Sequence, residues 1–367
     1  METDVVVVGA GPAGLAAAQQ LAARGVRPVV LERGEVLGAT WANLYDSLVL
    51  HTGKRMSSLP GLAFPRSYPT FIPRQAFWEY LRGYADHFGI QVETGSAVTE
   101  VARTNGGWKV RTARGEWHPR AVVMATGIVA NPVVPAFPGR ERFGGRVIHS
   151  VEYRRPGPFR GHRVLVVGVG NSGGEIASEL AASGATVTVA VRSGANVVPL
   201  TILGVPIQYV SFWVRKLPRP LRNLIVAAVQ RITVLRRGPP VLPRPAHGPL
   251  DAIPLIGFHL VDAIRAGRIA VRAGVAAFTP AGVRFTDGRA EAFDDVILAT
   301  GFTAALAPLG PLVRRDAKGF ALRVDRVASA DQPGLYFVGH NYDAGGGLYN
   351  IGVDSRLTAA RIARGLS

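Results

Sequence analysis

Residues 4–8, DVVVV, form an apolar run with no alternating polar position, the pattern of a parallel strand buried on both faces. The run stops at Gly9. LAAAQQLAARG, rich in Ala and Leu, then predicts a helix that closes at Gly25, and PVVLE predicts a second strand ending at Glu32. The same alternation returns far along the chain. RVLVV (163–167) leads through the helical GEIASELAASG to TVTVAVR, which ends at Arg192. Two further apolar runs, AVVMATG (121–127) and DVILATGF (295–302), predict short buried strands closing on Ala-Thr-Gly.

The turns inside the two repeats carry chemistry. The first is GAGPAG, with Gly9, Gly11 and Gly14 in GxGxxG spacing; the second is GVGNSG, with Gly168, Gly170 and Gly173. In such a turn the first glycine makes the bend. The second lets the backbone approach a pyrophosphate, and the third lets helix pack on strand. The helix N-terminus adds free N–H groups and the positive end of its dipole. Strand, turn, helix, strand and a closing residue in order are far more specific than a lone glycine motif. The closing residues differ. Glu32 lies 18 residues beyond Gly14 and suits ribose hydroxyls, whereas Arg192 lies 19 beyond Gly173 and suits a 2′-phosphate. The first site is therefore expected to take FAD, and the second, with Asn171, Ser172 and Ser193 beside it, NADPH.

The expected fold is α/β, with two Rossmann-like dinucleotide-binding domains and the NADPH domain inserted into the FAD domain. The Ala-Thr-Gly strands would return the chain to its sheets, Thr126 and Gly127 at the first cofactor, Thr300 and Gly301 at the second. Proline-rich stretches at 131–139 and 154–160 read as connectors, which places the divisions at 1–153, 154–286 and 287–367. A glycine loop, Gly345 to Gly347, opens a final helix whose N-terminus is expected at the flavin, with Gly346 and Leu348 lining it. Residues 197–260 form an insert holding an arginine-flanked amphipathic helix. Docking on a membrane surface is one reading of such a helix.

Composition narrows the chemistry. With 367 residues, 48% hydrophobic, the chain is long enough for two cores. It has no cysteine, so a disulfide reductase, a Cys-ligated metal and an iron–sulfur cluster are excluded, and no metal site is expected. Formal charge is +17, but the arginines are scattered and no nucleic-acid-reading motif accompanies them. No apolar run approaches the ~18 residues of a membrane span. The apolar run begins by residue 5, leaving no room for a secretory leader, so the expected location is cytoplasmic.

Between the two connectors lies FGGRVIHSVEY (143–153), which fits F-x-G-x-x-x-H-x-x-x-Y through Phe143, Gly145, His149 and Tyr153. Placed just before the second glycine turn, it resembles the signature of the class B flavin-dependent monooxygenases. The chain is most similar to their plant YUCCA branch and its bacterial relatives. LHTGKRMSSLPG (50–61), GHRVLVVGVGNSGGEIA (161–177), LPRPAHGPL (242–250) and DVILATGF also carry the resemblance, which spans residues 4 to about 362.

The resemblance implies that NADPH reduces FAD and that a C4a-(hydro)peroxyflavin inserts one oxygen atom from O2 into a small organic substrate. The signature then acts as a structural hinge rather than as chemistry, and the helix of the 197–260 insert, which YUCCA relatives share, packs beside the substrate entrance rather than on a membrane. Trp41 matches a family position near the isoalloxazine. Thr52 stands where the animal enzymes carry an asparagine that contacts flavin and nicotinamide; YUCCA-like sequences lack it too. This favours an aromatic 2-oxo acid over the alternative, N- or S-oxygenation of amines or thioethers. A non-oxygenating NADPH:flavin reductase and a cofactor-retaining redox sensor are the remaining rivals.

Overall fold

The computed structural model describes residues 1, 3–248, 250, 252–343 and 345–366. Pro249 of the LPRPAHGPL segment and Ala344 of the C-terminal glycine loop lie outside the described residues. The chain divides into two compact units. The first comprises Met1–Asn131, Phe302–Tyr342 and Gly346–Ser367; the second is Pro132–Gly301 with Asp343–Gly345.

In the first unit the apolar run Val5–Val8 is the central strand of a five-stranded parallel sheet. The order is Leu335–Phe337, Ala121–Met124, Val5–Val8, Val29–Leu31, Val92–Glu93. Strand side chains alternate between faces, and both faces are covered. Val5 and Val7 join a core with residues of helices Pro12–Ala22, Arg74–Phe88 and Gly347–Leu366. Val6 and Val8 pack with Val101, Trp108, Val110 and Trp117 of the antiparallel strands at 98–117. A four-residue run with no polar position is what a doubly covered strand requires.

The second unit repeats this plan. Its parallel sheet runs Arg146–His149, Asp295–Leu298, Arg163–Val167, Thr186–Ala190, Ile269–Arg272. Leu165 and Val167 pack with Phe278, Val283 and Phe285 of an antiparallel sheet at 275–292. Equivalent backbone bonds recur. Gly9 N donates to Leu31 O (2.7 Å) as Gly168 N does to Ala190 O (3.0 Å), and Ala125 N to Val8 O (2.9 Å) as Ala299 N to Val167 O (2.9 Å).

This pairing moves the sequence-based boundaries. Residues 132–153 and 287–301 fall in the second unit, because Arg146–His149 pairs in parallel with Asp295–Leu298, and that strand pairs with Arg163–Val167. Cuts at 153 and 286 would remove two of the sheet's five strands. The crossings lie side by side instead: Thr303 N donates to Asn131 O, and Val133 N to Gly301 O.

In the insert, helices Ile207–Val214 and Arg219–Arg237 are separated at Pro218. The second of them buries no residue. Among the described residues no helix is long and apolar enough to cross a membrane.

Candidate functional site

The first glycine turn is built by backbone constraints that differ at each glycine. Gly9 has φ +106°, and a Cβ there would lie 2.6 Å from the Ala125 carbonyl oxygen. A Cβ on Gly14 would fall far inside contact distance of the Gly9 carbonyl oxygen. At Gly11 a Cβ would meet nothing within 4 Å. The middle glycine therefore borders open space, directly at the N-cap of Pro12–Ala22, where no side chain caps the helix. Glu32, 7% exposed, closes the cradle. Its Oε2 accepts from Ala10 N at 2.8 Å and its Oε1 from Gly34 N at 2.9 Å. Each oxygen keeps a second lone pair for a ribose hydroxyl. Thr126 Oγ1 is buried with no partner among the described residues, and Gly127 has φ +76° with open space at its Cβ position.

Other elements bring the remaining first-unit residues into place. Gly346 (φ +96°) lies against Thr52, whose Cγ2 would be 2.9 Å from a Cβ at that position. The glycine is therefore needed for close approach as well as for the turn. Thr52 Oγ1 shares a 2.7 Å hydrogen bond with Ser57 Oγ. Leu348 is buried in the first turn of Gly347–Leu366. Trp41 meets the Phe77 ring edge-on, centroids 4.4 Å apart. Arg74 holds the Trp41 segment by donating to the carbonyls of Trp41 (3.3 Å) and Ala42 (2.6 Å).

The second turn repeats the geometry. Gly168 has φ +105° and would bring a Cβ 2.5 Å from Ala299 O; Gly173 would clash with Gly168 O; Gly170 meets nothing within 4 Å and heads an uncapped helix, Asn171–Ala182. Here the polar residues divide. The Asn171 amide fastens the insert, donating to Pro254 O (3.2 Å) and accepting from Ile256 N (2.8 Å). Ser172 is half-buried, and Ser193 is exposed. Thr300 Oγ1 donates to Val133 O at 2.6 Å, next to Gly301 at φ +90°. Arg192 is exposed beyond Thr186–Ala190, with no hydrogen bond or ion pair among the described residues.

The signature residues make contacts within the second unit. Phe143 packs edge-on to Phe278 (5.4 Å), and a Cβ on Gly145 would sit 2.5 Å from Asp294 O. His149, 3% exposed, has Nε2 3.1 Å from Gly301 O, while its Nδ1 accepts from Val151 N at 3.2 Å. That pattern requires the Nε2–H tautomer, and burial lowers the ring's pKa, so the imidazole is neutral. Tyr153 is buried and donates to Glu179 Oε2 at 2.8 Å on the glycine-turn helix; burial raises its phenol pKa.

These features match known proteins. The FMO-like, flavin-binding monooxygenase-like family pattern covers residues 2–329. The chain belongs to this family. The flavin-binding monooxygenase is 37% identical over 362 residues to the indole-3-pyruvate monooxygenase YUCCA1 of Oryza sativa subsp. japonica, covering 96% of this chain and 86% of the relative. It is 36% identical over 309 residues to the probable indole-3-pyruvate monooxygenase YUCCA1 of Arabidopsis thaliana, covering 81% and 75%. Among solved structures, a flavin-containing monooxygenase from Stenotrophomonas maltophilia superposes with a TM-score of 0.77 at 25% identity, over 100% of this chain and 99% of that one. Cyclohexanone monooxygenase bound to epsilon-caprolactone shares the fold, at TM-score 0.76 and 19% identity, over 100% and 88%.

Several supports of this monooxygenase carry no motif. Arg74 and Ser57 hold Trp41 and Thr52 in place. Asp354, fully buried, takes Arg326 Nε (2.9 Å) and Asn341 Nδ2 (2.8 Å), tying the final helix to the strand end before the glycine loop. Burial raises the Asp354 carboxyl pKa against the pull of both partners. An Asp on one face of a helix signals nothing by itself, since its partners lie in a different segment.

Proposed function

We propose that the enzyme holds FAD at Gly9, Gly11, Gly14 and Glu32 and NADPH at Gly168, Gly170, Gly173 and Arg192. On this reading two Rossmann-like domains are present, the NADPH domain inserted into the FAD domain. The observation that carries it is the pair of like cradles with unlike ends. Each has open space at its middle glycine and an uncapped helix behind it, but one closes on a carboxylate and the other on a free guanidinium. The residues fit the cofactors. Bound flavin and nicotinamide supply the redox chemistry and the activation of dioxygen. The chain's own residues bind, orient and exclude water. Trp41 and Thr52 would lie beside the flavin ring, and the N-terminus of Gly347–Leu366 would favour negative charge at its edge.

The substrate class is an aromatic 2-oxo acid. The relatives named as indole-3-pyruvate monooxygenases support it, together with threonine at position 52. The balanced reaction consumes 2-oxo acid, O2, NADPH and a proton. It yields the acid one carbon shorter, CO2, NADP+ and water. A matched panel of aryl 2-oxo acids, thioethers and tertiary amines, scored as oxygenated product per NADPH, tests this. The 2-oxo acids are expected to lead. Efficient sulfoxidation with no decarboxylated product would remove the substrate proposal and leave the monooxygenase.

The signature is a positioning device for the connectors. Gly301 O accepts from both Val133 N and His149 Nε2, so the histidine grips the point where the chain leaves the second unit. His149→Ala and Tyr153→Phe are expected to retain flavin yet release hydrogen peroxide instead of product. Unchanged product per NADPH in both variants would count against the hinge role.

A further inference from the structure

Helix Arg219–Arg237 has two unlike apolar faces. Ile225, Val226, Val229 and Thr233 are half-buried toward the protein. A second stripe, Leu221, Leu224, Ala228, Ile232 and Leu235, follows 3-4-4-3 spacing and faces solvent. Leu224 is 66% and Leu235 77% exposed. The preceding segment adds Trp213 at 66%, with Lys216 Nζ 4.6 Å from its ring centroid, and Leu203 at 98% on a hairpin tip. A row of exposed apolar side chains along one face of a 19-residue helix marks an interaction site.

Charge identifies the occupant. Between Glu179 and Asp251 the chain has no acidic residue. Arg219, Arg222, Arg231 and Arg236 have no ion-pair partner among the described residues, while Arg237 pairs with Asp262 at 2.9 Å. On a helical wheel Arg231 and Arg236 border the exposed stripe on its two sides. Two copies meeting through this stripe would bring arginine rows together with no carboxylate to offset them. A nucleic acid would satisfy the arginines but not the leucines. A substrate-entrance helix would bury its apolar residues, and this one buries none.

We infer that Arg219–Arg237, with Trp213, is an interfacial helix that lies on an anionic lipid surface. The leucine stripe would enter the acyl boundary, the flanking arginines would meet lipid phosphates, and Trp213 would sit at headgroup depth. The helix is about 28 Å long at 1.5 Å per residue, and it lies on the membrane rather than across it.

Co-flotation of the flavin-loaded full chain tests this, with phosphatidylcholine vesicles against phosphatidylcholine mixed with phosphatidylglycerol. Binding is expected only to the anionic vesicles, weakening as salt rises. Replacing Arg231 and Arg236 by Gln should weaken it about fivefold per arginine at low salt. Leu224→Asp with Leu235→Asp should abolish it. These positions are exposed and outside the cofactor cradles, so flavin content and NADPH oxidation should be unchanged. Equal recovery with neutral and anionic vesicles, or undiminished binding by both variants, would overturn the inference. So would a dimer that the double Asp variant splits while vesicles capture nothing, since a second copy would then cover the stripe.

Discussion

Gly11→Val is expected to give a folded but colourless protein, and Gly14→Ala a destabilised one. The difference follows from what each new side chain meets. Gly11 has φ −78° and ψ −174°, an extended conformation open to any residue, and its Cβ position has no neighbour within 4 Å. Valine there leaves the protein's own packing intact and occupies only the space a pyrophosphate needs. Gly14 faces the Gly9 carbonyl, a backbone atom that cannot swing away. Alanine there must part strand from helix, at about 3 kcal/mol, the upper range for overpacking. Flavin absorbance per chain and melting temperature separate the two. A ligand at about a hundredfold over its Kd adds ~2.7 kcal/mol to stability. Gly11→Val should therefore melt like the wild-type apoprotein, and Gly14→Ala below it. A Gly11→Val protein with full flavin would show that the pyrophosphate lies elsewhere.

The same contrast separates what was legible in the sequence from what was not. Runs such as Val5–Val8 and Arg163–Val167 declare themselves because a strand covered on both faces tolerates no polar residue. The glycines were equally plain, since each position excludes a Cβ or leaves room for a ligand. Arg146–His149 was not legible as a strand. It is an edge strand with an exposed arginine, and its identity depends on pairing with Asp295–Leu298, far along the chain. For that reason the compact units divide after 131 and 301 rather than at 153 and 286. Glu32 was readable as the acid that closes the first repeat but not as the acceptor for the Ala10 and Gly34 amides, because those bonds exist only once the turn has closed. Asn171 was grouped with NADPH by its place in the motif, yet its amide holds the strand segment at 254–256. In the insert, helical periodicity was visible, but periodicity cannot say which of two apolar faces the protein covers.

Arg192→Ala should lower kcat/KM for NADPH about ten- to hundredfold and leave NADH nearly unchanged. A charge-assisted contact is worth roughly 1.5–3 kcal/mol, and a guanidinium offers a phosphate two parallel bonds. Arg192 suits that role because it is exposed at the tip of the second repeat and has no protein partner among the described residues to lose. The next strand tip offers little redundancy, since Arg272 is held by Glu291. Folding should therefore be unaffected, and melting temperature without nicotinamide should not move. Arg192→Lys keeps the charge but not the fork, so it should fall between wild type and alanine. Arg192→Glu goes further: a carboxylate facing the 2′-phosphate, with a free ribose now able to use it, should invert the preference toward NADH, by the same logic that proposes an unphosphorylated ribose at Glu32. Equal losses for NADPH and NADH in Arg192→Ala would place the 2′-phosphate away from this tip, and the opposed charges of the two cradles would then need another cause.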